Sequence, residues 1–218
     1  MRIESPTSHV PGVERWPQRG GVACLDFANT VAFRPTERPC DGLREYGDLL
    51  AWSKLAGVLS ADECARLTTL AVQDEPAAFV ALESARSLRE AVFNLFQSLA
   101  AGQSADPADL AIITAWRIDG MKRATLSMQA GGFEFAVAPE EVTLTRPLWP
   151  IAESATQLLL SSDWRRVHRC PGDDCGWLFL DRTKNGNRRW CDSADCGNRA
   201  RGRAYAQRQR QRQPSARA

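Results

Sequence analysis

Four cysteines near the C-terminus are the residues best placed to do chemistry: Cys170, Cys175, Cys191 and Cys196. They fall as C-x4-C, a gap of fifteen residues, then C-x4-C. Each short pair can form a tight loop that aims two sulfurs at one point. The intervening stretch can then fold back and set the second pair beside the first. A tetrahedral, thiolate-rich zinc site needs that arrangement. Four thiolates complete the shell and leave no position for water, so the expected Zn2+, one per chain, is structural rather than catalytic. Four thiolates also over-neutralise a dication, and Arg169, Arg188, Arg189 and Arg199 lie close enough in sequence to offset the excess. A disulfide pair is the alternative use of such cysteines. Residues 1–20 lack the apolar segment of a secretory signal, so the expected compartment is a reducing cytoplasm, where metal is favoured.

Other reactive constellations are sparse. The chain has two histidines, His9 and His168. No Ser/His/Asp set, phosphate-binding loop or open metal site is apparent, so the expectation is a protein that is not an enzyme, with no catalytic residues. A carboxylate pair hidden in the body is the competing enzymatic reading. No stretch approaches the ~20 consecutive apolar residues of a membrane helix, which argues against a membrane partner.

The elements around the cysteines can be read locally. Residues 177–180, Trp-Leu-Phe-Leu, read as a strand. Asn185-Gly186 is a turn signal, and Arg188-Arg189-Trp190 is expected to return as a second strand into Cys191. After Cys196 the sequence is helical to about Gln213, although Gly202 weakens the helix. With Cys196 in the first turn, free backbone N–H groups can support its thiolate. Loop, hairpin, loop and helix together predict a treble-clef-like, four-cysteine zinc finger over residues 163–213. Its few apolar residues cannot offset the entropy of ordering it, so zinc decides whether it folds.

These residues also carry a family resemblance. Cys196-Gly197-Asn198-Arg199, with Cys170-Pro171 and Asn185-Gly186-Asn187-Arg188-Arg189-Trp190-Cys191, resembles the CGNR zinc finger. Leu25-Asp26-Phe27-Ala28-Asn29-Thr30 resembles the opening motif of the ABATE domain, which usually precedes that finger. The resemblance covers nearly the whole chain. It implies a bacterial, stress-induced transcription regulator that binds DNA.

The body, residues 20–162, reads as mostly helical. Residues 1–20 form a loose arm. Residues 22–27 are an apolar strand or helix start, and Asp26 and Asn29 beside it are candidate ligand-binding residues, with backbone bracing as their alternative role. Residues 31–42 read as a loop, and 43–55 carry apolar residues at helical spacing. Ser60-x-x-Glu63 is a capping box, so a helix should begin at Ala61, with Cys64 as a small buried residue near its start. Residues 77–101 form the longest helix, with Phe79, Leu82, Leu88, Val92, Leu95, Phe96 and Leu99 as its core stripe. Asp106-Pro107 caps another that should reach about Asp119. Residues 124–128 and 133–137 flank Gly131-Gly132 as a β-hairpin, and 151–160 form the last body helix. The fold class is α+β: a mostly helical N-terminal domain with a small β-hairpin, plus the finger.

Charge points to the partner. The chain carries 28 Lys+Arg and 26 Asp+Glu, but from Asp163 onward the counts are 14 and 6. The tail is therefore +8 and the rest −6, a polyanion-binding pattern on a mildly acidic body. On the final helix Arg199, Arg203 and Arg210 lie within ~40° of one another. Arg201, Arg208 and Arg212 form a roughly opposite row, and Ala200 and Ala204 share a face suited to packing on the hairpin. Arg182, Lys184, Asn185, Arg188 and Arg189 add donors at the hairpin tip. Two such rows could contact phosphates, or phosphates and bases. DNA is the expected partner, RNA or protein the alternatives, and a small-molecule effector a candidate for the body. Quieter roles compete at several positions. Arg199 can screen the thiolates, Asn198 can brace the knuckle, and Trp177 and Trp190 can form the finger's core. Residues 208–218 are expected to be disordered without a partner.

Overall fold

Helix α1 (Ala23–Ala28) lies at the centre of the molecule. In the computed structural model, which describes residues 16–129, 131–138 and 141–212, Cys24, Leu25, Phe27 and Ala28 are fully buried. The longest helix, α4 (Glu75–Ala100), and α6 (Leu148–Leu160) pack against α1. Helix α2 (Tyr46–Leu55) adds Trp52, whose ring lies 4.9 Å from that of Phe27. Helices α3 (Ala61–Gln73) and α5 (Pro107–Arg123) pack on different neighbours, α3 on α2 and α5 on α6.

Local chemistry sets these boundaries. Ser60 Oγ accepts from Glu63 N, and the Glu63 carboxylate accepts from Ser60 N at 2.8 Å, a closed capping box at the start of α3. Asp74 and Asp106 cap α4 and α5 through Ala77 N and Ala108 N. Helix α6 starts three residues before the expected position. Pro150 sits in its first turn, where a missing N–H breaks no helical hydrogen bond. Helix α5 likewise continues past Asp119 to Arg123. In the α4 stripe Leu82, Leu88, Val92, Leu95 and Phe96 are buried, whereas Phe79 is 62% exposed.

Three small antiparallel sheets complete the architecture. Strands β1 (Val31–Ala32) and β2 (Cys40–Asp41) pair within the stretch expected to be a loop. Strands β3 (Ala124–Gln129) and β4 (Gly132–Val137) form the expected hairpin. Strand β5 (Val167–Arg169) pairs with β6 (Leu178–Leu180), with Val167 opposite Leu180.

That last pairing corrects the expected finger hairpin. Residues 188–190 form no strand; the partner of β6 comes before the first cysteine pair, at Val167–Arg169. Asp181 explains why the chain turns away. Its carboxylate accepts from Thr183 N at 2.8 Å, Thr183 Oγ1 at 2.6 Å and Arg188 N at 2.8 Å. These bonds, that to the Thr183 hydroxyl foremost, hold the buried carboxyl below its ordinary range and close residues 181–188 into a loop.

Helix α7 (Cys196–Arg212) ends the described chain. Every residue from 201 to 210 is exposed, Ala204 included, so this stretch of the helix is not packed into the finger. Residues 208–212, expected to be disordered, are helical. The arm over residues 1–15 and the tail from Gln213 lie outside the described residues, as does the Arg212 side chain.

Candidate metal centre

The two cysteine pairs converge. The sulfurs of Cys170, Cys175, Cys191 and Cys196 all lie within 4.8 Å of one another and all four residues are buried. Cys191 Sγ is 3.6 Å from both Cys175 Sγ and Cys196 Sγ. Thiolates about 2.3 Å from a tetrahedral zinc would stand roughly 3.8 Å apart, so the donor set fits the ion. None of the four is in a disulfide. Left to themselves, such sulfurs conflict. Thiols of Cys175 and Cys191 donating to Cys170 pull its thiol down. The same contacts push the Cys175 and Cys191 thiols up. A central dication held by the four sulfurs would resolve that conflict by letting all four ionise together.

Each knuckle is held by backbone geometry. Cys170 N donates to Trp177 O at 2.7 Å, and Cys175 N donates to Gly172 O at 3.0 Å. Asp192 Oδ1 accepts from Ala194 N at 2.6 Å and Asp195 N at 3.1 Å, which turns the chain into α7. The four residues of the CGNR motif then divide the work. Cys196 supplies a sulfur from the first turn of α7. A Cβ on Gly197 would stand 3.2 Å from Trp190 Cδ1, so glycine lets the indole close over the cluster. Asn198 Nδ2 donates to Ala194 O at 2.7 Å and braces the second knuckle. Arg199 Nη2 reaches Cys196 Sγ at 3.2 Å while its other nitrogens meet Asp174 and Asp195.

The basic residues named from the sequence separate into two groups. Arg188 is taken up by the scaffold. Its guanidinium donates to Leu180 O, Trp190 O, Arg19 O and Cys191 O, and lies 4.6 Å above the Phe179 ring. Arg199 is bound to the cluster as described. Arg203 is exposed and lies 3.3 Å from Asp173. Arg182, Lys184, Arg189 and Arg210 are exposed, Arg189 beside the Trp190 ring.

Asp26 and Asn29 sit at the seam between body and finger. Asn29 Nδ2 donates to Leu178 O at 2.8 Å, and its Oδ1 accepts from Leu178 N at 2.9 Å, so one side chain completes the edge of β6 as another strand would. Asp26 Oδ1 accepts from Gly20 N at 2.6 Å, and Gly20 O accepts from Leu180 N at 2.8 Å. A Cβ on Gly20 would meet Asp26 N at 2.7 Å, which explains the glycine. Burial pushes the Asp26 carboxyl up to about 6, against the backbone N–H groups of residues 19–21 and the Arg188 charge.

Sequence reasoning missed most of this seam. Trp177 Nε1 donates to Val31 O at 3.0 Å, and Arg19 pairs with Asp192 and Asp195 at 3.1 Å. Buried Arg89 holds β2 to α4 with bonds of 2.7 and 2.8 Å to Asp41, whose carboxyl the paired guanidinium lowers despite burial. Arg34 pairs with Glu90 and stacks 3.8 Å from the Phe93 ring. The local signal at Arg89 is a charge beside the apolar stripe of α4; Arg34 lies in a stretch that reads as a loop, and nothing local pairs either with its distant carboxylate.

A helical body closed onto a four-cysteine finger by such a seam defines a two-part, metal-finger architecture. Comparison with known families then names it. The ABATE model, described as "Putative stress-induced transcription regulator", matches residues 21–162, and the CGNR zinc finger model matches residues 166–209. The chain belongs to the ABATE family and carries a CGNR zinc finger. No curated protein matches it. No described helix is long and apolar enough to cross a membrane.

Proposed function

We propose that this chain is a DNA-binding transcription regulator whose finger is held by one structural zinc on Cys170, Cys175, Cys191 and Cys196. Duplex DNA is contacted by α7 and by the 182–189 loop. One observation carries the reading. Residues 201–210 form about three turns of helix with every side chain exposed, four of them arginine and none acidic. A helix polar on all sides gains nothing from packing on its own protein, so a partner must supply its reward. A cationic rod of this kind fits a groove lined by phosphates.

The contacts divide further. Arg182, Lys184, Arg189, Arg203, Arg208 and Arg210 face the nucleic acid. Arg188 and Arg199 serve the finger's architecture, since their guanidinium groups already bind carbonyls, carboxylates and a sulfur. Asp26 and Asn29 likewise serve the seam rather than a ligand. Fluorescence anisotropy on duplex DNA tests the assignment. Arg208→Ala with Arg210→Ala should weaken binding and flatten the dependence of log K on log salt by about 2, one per lost phosphate contact. Arg199→Ala should instead loosen zinc. Undiminished DNA binding by the zinc-stripped chain would end the proposal.

A further inference from the structure

The β3–β4 hairpin presents an apolar face to water. Its register sets Leu126 opposite Phe135 and Met128 opposite Phe133. Side chains alternate along a strand, so these four share one face, flanked by Ala124 opposite Val137. They are 62%, 64%, 77% and 74% exposed respectively. The opposite face carries Thr125, Ser127 and Ala136, so the sheet turns its large apolar side chains outward. Among the described residues no third strand pairs with either edge. A lone two-stranded hairpin is marginal in water and needs a further strand or a packed face to persist.

We infer that a second copy of this chain covers that face, the two hairpins packing face to face about a two-fold axis. Charge narrows the choice of partner. Residues 124–137 contain no lysine or arginine, so the hairpin has nothing to offer an anionic lipid surface or a nucleic acid. A two-fold axis sets like against like, and this face carries no charge to repel its own copy. The area is also sufficient. At these exposures, four side chains of about 150–250 Å² each leave roughly 400–700 Å² to cover per copy, so two copies reach the range of the ~1,000 Å² that specific association requires. Stacked sheets about 10 Å apart would interdigitate the four large side chains from each copy.

Sedimentation of the full, zinc-loaded chain at micromolar concentration is the test. The expected mass is about twice 24.1 kDa. Phe135→Glu places two carboxylates against each other across the axis and should raise the dissociation constant roughly 100-fold or more, giving the single-chain mass. Phe79→Glu, at an exposed apolar position on α4, should leave the dimer intact. Circular dichroism confirms that the variants fold. Hydrogen exchange of the unaltered chain adds an independent reading: amides of 124–129 and 132–137 should gain protection as concentration rises. A single-chain mass for the unaltered protein, a dimer that survives Phe135→Glu, or one that Phe79→Glu dissociates would overturn the inference. A monomeric variant that still binds a short duplex separates this surface from the DNA-binding one.

Discussion

The body buries Trp52, Phe27, Phe96 and a continuous set of aliphatic side chains around α1, whereas the finger closes around four sulfurs and one buried ring, Phe179. The first is ordered by removing apolar surface from water. The second has little such surface, and under the proposed function bonds to zinc supply the rest. Strand β6 belongs to both. Leu178 and Leu180 lie in the body core, and Phe179, between them, lies in the finger core. A period-2 strand can serve two cores because its alternate side chains point opposite ways. With zinc on the four cysteines, the contrast predicts that the boundary of metal-dependent order falls inside the C-terminal region, after β6, and not at the start of the finger.

The largest expected effect comes from removing a sulfur. Cys191→Ser should abolish stoichiometric zinc, measured by elemental analysis, and forfeit much of the about 10–16 kcal/mol that binds structural zinc in finger peptides. Hydrogen exchange should then rise across 170–175 and 188–212 but stay low across β5–β6. Melting of β6 together with the knuckles would place the boundary before the finger instead. Next in size is Asn29→Ala, which leaves the buried N–H and C=O of Leu178 without partners. At about 1–3 kcal/mol for each, the loss is about 4 kcal/mol, read by urea denaturation. A loss confined to the finger, with the body's transition unmoved, would show that the two cores are independent.

A smaller, pH-dependent effect sharpens the seam. The folded chain holds the Asp26 carboxyl at about 6, above the roughly 4 of an unfolded chain. Between those values the folded state binds more protons. The group's contribution is therefore full below about pH 4 and is lost as pH rises through about 6, in all about 3 kcal/mol. Asp26→Asn should remove that decline. Urea denaturation at about pH 4.5 and about pH 7.5 spans most of the window and should read about 2 kcal/mol of it, and an equally steep decline in the variant would assign it to another group.

Legibility in the sequence follows the range of the interaction. Ser60 with Glu63, Asp106 with Pro107, and Gly131-Gly132 act within a few residues, so the elements they start or turn could be read directly. The cysteine spacing likewise carries its own geometry. Residues 188–190 looked like a strand because Arg-Arg-Trp leads straight into Cys191, but the strand that pairs with β6 is chosen by Val167 docking in the body core. Asp26 and Asn29 were visible as polar residues in a buried segment. Their partners, Gly20 and Leu178, were not visible, because one is read through a backbone atom and the other lies 149 residues away. Arg188 was counted among surface cations because its carbonyl partners exist only once the finger closes.

The two hydrogen bonds of Asn29 have a consequence for transplantation. A finger lifted out at residue 163 and joined to a foreign carrier would arrive with the backbone of Leu178 unclaimed and two leucines stripped of cover. The C-terminal cassette is therefore not portable by itself; its shortest graftable form includes the stretch from Arg19 to Val31 that cradles it.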